Sequence, residues 1–78
     1  MNITELYDNI FRGGEIEFTY NDKQYSITHS DEGIHVMEAY NYSSERIYQN
    51  SDEIGEYIID GKKLKNILDN AEITFRCF

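Results

Sequence analysis

The chain has no proline, one cysteine, two histidines and only seven basic side chains, and each shortage removes a class of explanation. With no proline, no repeat and no low-complexity linker, nothing divides the 78 residues, so residues 1–78 are expected to form a single compact domain. Cys77 alone can close no disulfide within the chain. His29 and His35 lie six apart with no second cysteine, so a zinc site would need carboxylates to complete it; no metal and no cofactor is expected. No stretch approaches the roughly 18 apolar residues of a membrane span, and no basic region followed by an apolar run opens the chain. A cytoplasmic location without membrane contact is the expectation. A chain of this size draws only a few kcal/mol of net stability from one core.

What is abundant is acid. Fifteen acidic against seven basic side chains give a net charge of -8. Through Ile59 there are twelve acidic and three basic residues, and from Asp60 onward three acidic and four basic, among them the group Lys62, Lys63 and Lys65. Such a surface repels nucleic acid and anionic membrane and favours a basic protein partner. Three lysines in this background make a poor nucleic-acid site and are expected to decorate a short helix.

The most legible stretch runs from Gly13 to His29, reading GGEIEFTYNDKQYSITH. Ile16, Phe18 and Tyr20 alternate with Glu15, Glu17 and Thr19, the period of a strand with one face buried, and Tyr25 and Ile27 continue it. Asn21-Asp22 between the runs tolerates the positive φ of a tight turn. A two-residue loop sets Phe18 opposite Tyr25 and Ile16 opposite Ile27. A four-residue loop also matches the faces, whereas a three-residue loop mixes them and is excluded.

Around that hairpin the pattern predicts, in order, a helix over Asn2 to Phe11, the hairpin itself, and a third strand over Ile34 to Tyr42. The helix has Ile3, Leu6, Tyr7, Ile10 and Phe11 on one stripe, an Asn2/Glu5 capping box, and Gly13-Gly14 at its end. After the Ser30 to Gly33 turn, a four-residue loop pairs His29 with Ile34, Ile27 with Val36 and Tyr25 with Glu38. Glu38 then lies on the core face, at its margin or hydrogen-bonded. Asn41 to Ser44 reads as a polar break and Glu45 to Asn50 as a short fourth strand with Ile47 inward. Ser51 is the expected N-cap of a short helix with Ile54, Tyr57 and Ile58 inward. Asp60-Gly61 interrupts it before a second short helix over Lys62 to Leu68, closed by Asn70. Glu72 to Phe78 reads as a last strand covering a sheet edge, with Ile73, Phe75 and Cys77 on one side. The fold class is α+β: an N-terminal helix, an antiparallel meander of three or four strands, two short helices and a C-terminal strand.

Chemistry is harder to find in the pattern. A nucleophile needs a base and an orienting acid beside it. Cys77 reads as a small core residue, His29 as the polar margin of the core face and His35 as solvated on the other face, so no catalytic residue is expected and the protein is read as not an enzyme. The carboxylates of Glu15, Glu17, Asp31 and Glu32 read as a charged outer face, and Gly13-Gly14 lacks the context of a phosphate loop. Seven tyrosines stand out. Tyr7, Tyr20, Tyr25 and Tyr57 are assigned to the core, while Tyr40, Tyr42 and Tyr48 gather with acids. A protein-binding surface is expected from Glu38, Tyr40, Tyr42, Glu45, Tyr48, Asp52, Glu53 and Glu56, rings and carboxylates together suiting a basic partner.

EFTYNDKQYSI, followed later by IDGKKLKNI, resembles a group of short acidic proteins from Gram-positive bacteria and their phages or mobile elements, in which E-F-x-Y-N-G-K-x-Y-x-I precedes I-D-G-K-x-L-K-x-I. Asp22 stands where that pattern has glycine. The group has no established activity, so the resemblance implies a bacterial or phage cytoplasmic setting and transfers no site. The expected function is a small non-enzymatic protein-binding module. One form would be a phage or mobile-element inhibitor that occupies a host nucleic-acid-binding protein by anionic mimicry, as anti-CRISPR-type proteins do. The alternatives are a small ligand-binding or enzymatic domain using His29 or His35 with Glu38, and a self-assembling module.

Overall fold

The structure, a computed structural model, describes residues 1–77. Helix α1 (Ile3–Phe11) starts at the expected capping box: the Glu5 N–H donates to Asn2 Oδ1 at 2.8 Å, and the Asn2 N–H donates to Glu5 Oε1 at 3.3 Å. Two amides that the helix cannot satisfy internally are thereby satisfied. Gly13, at φ +88°, takes the left-handed backbone that ends the helix. Gly14 has no room for a side chain, since a Cβ would lie 2.4 Å from the carbonyl oxygen of Cys77. The chain can therefore turn directly from the helix into the sheet it covers.

Strands β1 (Glu15–Tyr20) and β2 (Lys23–Ser30) form the hairpin with its two-residue loop, Ile16 opposite Ile27 and Phe18 opposite Tyr25. Asn21 and Asp22 have φ of +51° and +63°, the paired left-handed residues of a turn whose twist matches the strands. Strand β3 (Gly33–Glu38) pairs in the expected register, with His29 opposite Ile34, Ile27 opposite Val36 and Tyr25 opposite Glu38. It is shorter than expected because the chain reverses at Ala39-Tyr40, and the supposed polar break is the first half of an eight-residue β4 (Asn41–Tyr48). Ser44 makes this possible: its Oγ accepts from the Glu38 N–H at 2.9 Å and donates to the Asn41 carbonyl at 2.6 Å across a register shift. Ile47 pairs with His35 on the outer face and is not inward; Tyr48, opposite Ile34, faces the core instead. A strand can present only one parity, and the larger ring takes the inner one.

A 3-10 helix (Ser51–Glu56) follows, capped at Asn50 and not at Ser51. Glu53 Oε1 accepts from the Asn50 N–H at 2.9 Å and from its side-chain amide at 3.2 Å. The next segment departs from expectation. Asp60-Gly61, with φ of +52° and +79°, is the turn of a small ribbon, β5 (Ile58–Ile59) and β6 (Lys62–Lys63), so Ile59 is buried and Ile58 exposed, and Lys62 and Lys63 precede the helix. Helix α2 (Leu64–Ile67) and a 3-10 turn (Leu68–Asn70) bury Leu64, Ile67 and Leu68. Strand β7 (Glu72–Cys77) then covers the β1 edge, completing the antiparallel order β4-β3-β2-β1-β7. A bulge between Glu17 and Phe18 sets Ile73 opposite Phe18 on the inner face but Phe75 opposite Glu17 on the outer, and leaves Cys77 exposed rather than in the core. Phe78 lies outside the described residues.

One layer of α1, α2 and the 3-10 turns thus covers the inner face of one sheet. Leu6, Ile10, Ile16, Phe18, Ile27, Val36, Ile54 and Leu64 are fully buried, and the Phe18 and Tyr25 rings stack at 5.2 Å. Each such side chain contributes about 1.5–3 kcal/mol of transfer free energy. Buried Asn9 spans the layers, its Nδ2 donating to the Cys77 carbonyl at 3.0 Å. Asn9→Ala is expected to lower stability by about 1–3 kcal/mol and to speed amide exchange in β7 ahead of β2 and β3, measured by urea denaturation and hydrogen exchange.

Candidate functional site

The eight residues expected to form one binding surface are distributed over the molecule. Tyr40 and Tyr42 are 93% and 80% exposed at the β3–β4 turn. Glu38 is half-buried at the end of β3. Glu45 lies on the outer face of the sheet, Tyr48 packs against the core, Asp52 and Glu53 stand on the first turn of the 3-10 helix, and Glu53 is engaged in capping. Glu56 binds Lys63 and Lys65, each at 3.0 Å. Those ammonium groups hold its carboxyl below the ordinary range, and Lys65 is raised in turn. Glu56 is thereby neutralised as a steering charge.

Glu38 and Tyr40 do converge, with partners the sequence reading did not name. The β1–β2 turn, the β3–β4 turn and the chain entering β7 meet at one end of the sheet around a broad hollow of about 890 Å³. Tyr20, Asp22, Glu38, Tyr40 and Glu72 line it. None of its three carboxylates has an ion-pair or hydrogen-bond partner among the described residues. Lys23, the one cation there among the described residues, lies 3.8 Å from Asp60 Oδ1, and Asn21 Nδ2 donates to Asp60 Oδ2 at 3.2 Å. The β5–β6 turn therefore clasps the hairpin tip and diverts its positive charge.

Tyr40 carries a conformational cost at this site. Its φ is +62°, where a side chain with a Cβ costs about 1–2 kcal/mol, and the exposed ring recovers little by burial. The negative potential of the hollow also reaches inward. Burial first, then the charges of Glu38 and Asp60, push the Tyr25 phenol up to about 12. Burial likewise raises Tyr48.

The histidines do not join Glu38. His29, near the far end of β2, hydrogen-bonds through Nε2 to the Gly14 carbonyl at 2.9 Å. His35 is not solvated: on the outer face of β3 its side chain is only 14% exposed, between Ser30 and Glu45. Glu38 projects from the opposite face, which removes the pairing of His35 with Glu38. Strand parity alone would place Ser30, His35 and Glu45 on one face, but only with Ile47, which shares a face with Glu45, turned outward. Among the described residues no group of three metal-ligating side chains comes together, and no helix is long and apolar enough to cross a membrane.

No family model, curated protein or solved structure matches the chain. The observations define an α+β domain with an acidic, tyrosine-flanked hollow at one end of its sheet.

The Tyr25 shift fixes the sign of the alkaline response. The folded state keeps the phenolic proton that the unfolded chain releases near 10, so this contribution to stability is complete below about 10 and is lost as pH rises through about 12. Urea midpoints measured across that range should fall with pH, and Tyr25→Phe should fall less steeply.

Proposed function

We propose that the protein is a binding module that takes a basic, arginine- or lysine-bearing segment of a protein partner into the hollow between the β1–β2 and β3–β4 turns. One observation carries this reading: three carboxylates without a partner among the described residues, Asp22, Glu38 and Glu72, surround two tyrosine rings, while Lys23, the only cation of the described lining, is held by Asp60. Carboxylates supply charge-assisted hydrogen bonds to a guanidinium or ammonium group, and a ring face adds a cation–π contact. The net charge of -8 steers such a partner from a distance.

A nucleic-acid-binding protein is the partner class whose surface is built to receive anions. Inhibition of a host protein of that kind by anionic mimicry, in a bacterial or phage cytoplasm, is the specific form we favour; the acidity of the chain and its resemblance to short phage and mobile-element proteins support it. Neither Glu15 nor Glu17, on the outer face of β1, takes part.

Titration of an arginine-rich peptide followed by amide chemical shifts tests the site. Shifts should concentrate at Asp22, Glu38, Tyr40 and Glu72 and shrink with added salt, and Glu38→Lys should weaken binding about tenfold, or ~1.4 kcal/mol. Shifts spread evenly over all acidic positions would reject the hollow as the site. Tyr40→Gly separates strain from function: it should raise unfolding stability by about 1 kcal/mol through relief of the left-handed backbone while weakening the peptide complex.

A further inference from the structure

At the opposite end of the sheet three side chains are joined in a line. Ser30 Oγ is within hydrogen-bond distance of His35 Nε2, and His35 Nδ1 lies 3.1 Å from Glu45 Oε2. The proton positions follow from what each group can do. An ionised carboxylate only accepts, so Nδ1 of a neutral His35 must be the nitrogen that donates to Glu45. Nε2 is then an acceptor, and the hydroxyl of Ser30 donates to it. The Glu32 N–H, donating to Ser30 Oγ at 3.0 Å, completes the set and holds the oxygen in place. This is the protonation pattern of a hydroxyl poised to be deprotonated by a histidine that a carboxylate orients.

The line adjoins a place for a substrate. Ser30 also lines a hollow of about 630 Å³ between the end of α1, the β2–β3 turn and the start of the 3-10 helix, its wall made of the apolar Ile10, Phe11 and Ile34 and the polar His29, Gln49 and Asp52. Its size falls within the range of small-molecule sites. Phe11, 81% exposed, forms an open lip. A hydroxyl relay and a hollow of mixed polarity sharing one residue are independent features, and the hollow is separate from the acidic one: the two share no lining residue.

We propose that Ser30, His35 and Glu45 form an acyl-transfer site for small esters. Ser30 Oγ attacks the ester carbonyl, and an Oγ–C bond forms as the proton passes to His35 Nε2. The bond to the leaving group then breaks, and His35 returns that proton to the departing oxygen. Water, deprotonated by His35, releases the acid and restores the hydroxyl, so ester and water give acid and alcohol with no further reactant. Ser30 is the nucleophile, His35 the general base and acid, and Glu45 a positioning residue that holds the Nδ1–H tautomer.

The test uses the whole chain with a fluorophosphonate probe, which leaves a stable Oγ–P bond on a nucleophilic serine with loss of fluoride, and with p-nitrophenyl acetate and butyrate. Intact-mass and peptide mapping should find one adduct, at Ser30. Ser30→Ala should abolish it and bring ester hydrolysis down to that of an equal concentration of free histidine. His35→Gln should slow labelling about 100-fold. Phe11→Ala, at an exposed position, should raise the KM for butyrate more than for acetate. Circular dichroism of each variant separates loss of chemistry from loss of fold, and labelling of the unmodified chain needs no variant at all. The proposal is overturned if excess probe leaves Ser30 unmodified in the native chain, or if folded Ser30→Ala hydrolyses the esters as fast as the parent.

Discussion

The inner face of a five-stranded sheet has to be kept from water, and the docking of α1 and the short turns onto that face is the interaction from which the rest of the structure follows. Leu6 and Ile10 meet Ile16, Phe18 and Ile27 there, and Ile54, Leu64, Ile67 and Leu68 close the remainder. A nine-residue helix has too little length to be stable alone and too little area to cover five strands. The segment after β4 therefore compacts into 3-10 turns and a two-stranded ribbon, which deliver apolar side chains at short intervals. The ribbon also places Asp60 where it can hold the hairpin tip.

Because one face is spent on the core, chemistry is left to the rims and the outer face. The meander gathers its turns at two ends, and the two ends differ in character. At one, the turn residues Asp22 and Tyr40 stand in left-handed backbone beside Glu38 and Glu72, giving a hollow rich in unneutralised acid. At the other, the end of α1 and the β2–β3 turn frame a hollow of mixed polarity, and Ser30 on its border belongs to a polar line running across the outer face to Glu45. An antiparallel sheet with alternate turns at opposite ends allows two such sites without crowding.

Charge is distributed to match. Arg12 pairs with Asp8, Lys23 with Asp60, and Lys63 and Lys65 with Glu56. These exposed pairs are worth little individually for stability, but they remove cations from the field. What projects from the surface is the excess of acid, and at the tip hollow Asp22, Glu38 and Glu72 have no partner among the described residues.

The sequence by itself determined the elements whose cause is local. The capping box at Asn2 and Glu5, the Asn21-Asp22 turn, the β1–β2–β3 register and the covering role of β7 all follow from spacing, turn chemistry and period-two alternation. Three further outcomes needed the folded chain. The extent and parity of β4 depended on Ser44 bridging Glu38 and Asn41 and on Tyr48 competing with Ile47 for the core. The β5–β6 ribbon depended on the core accepting Ile59 instead of Ile58, and the faces of Phe75 and Cys77 on a bulge against β1. The sites belong to this second group. Glu38 and Tyr40 were legible as a tyrosine beside an acid, but Asp22 and Glu72 join them only because distant turns meet, and Ser30, His35 and Glu45 align only across three strands. Short-range pattern specifies which way a side chain faces along its own strand; which side chains then become neighbours is decided by register and packing, which act between segments.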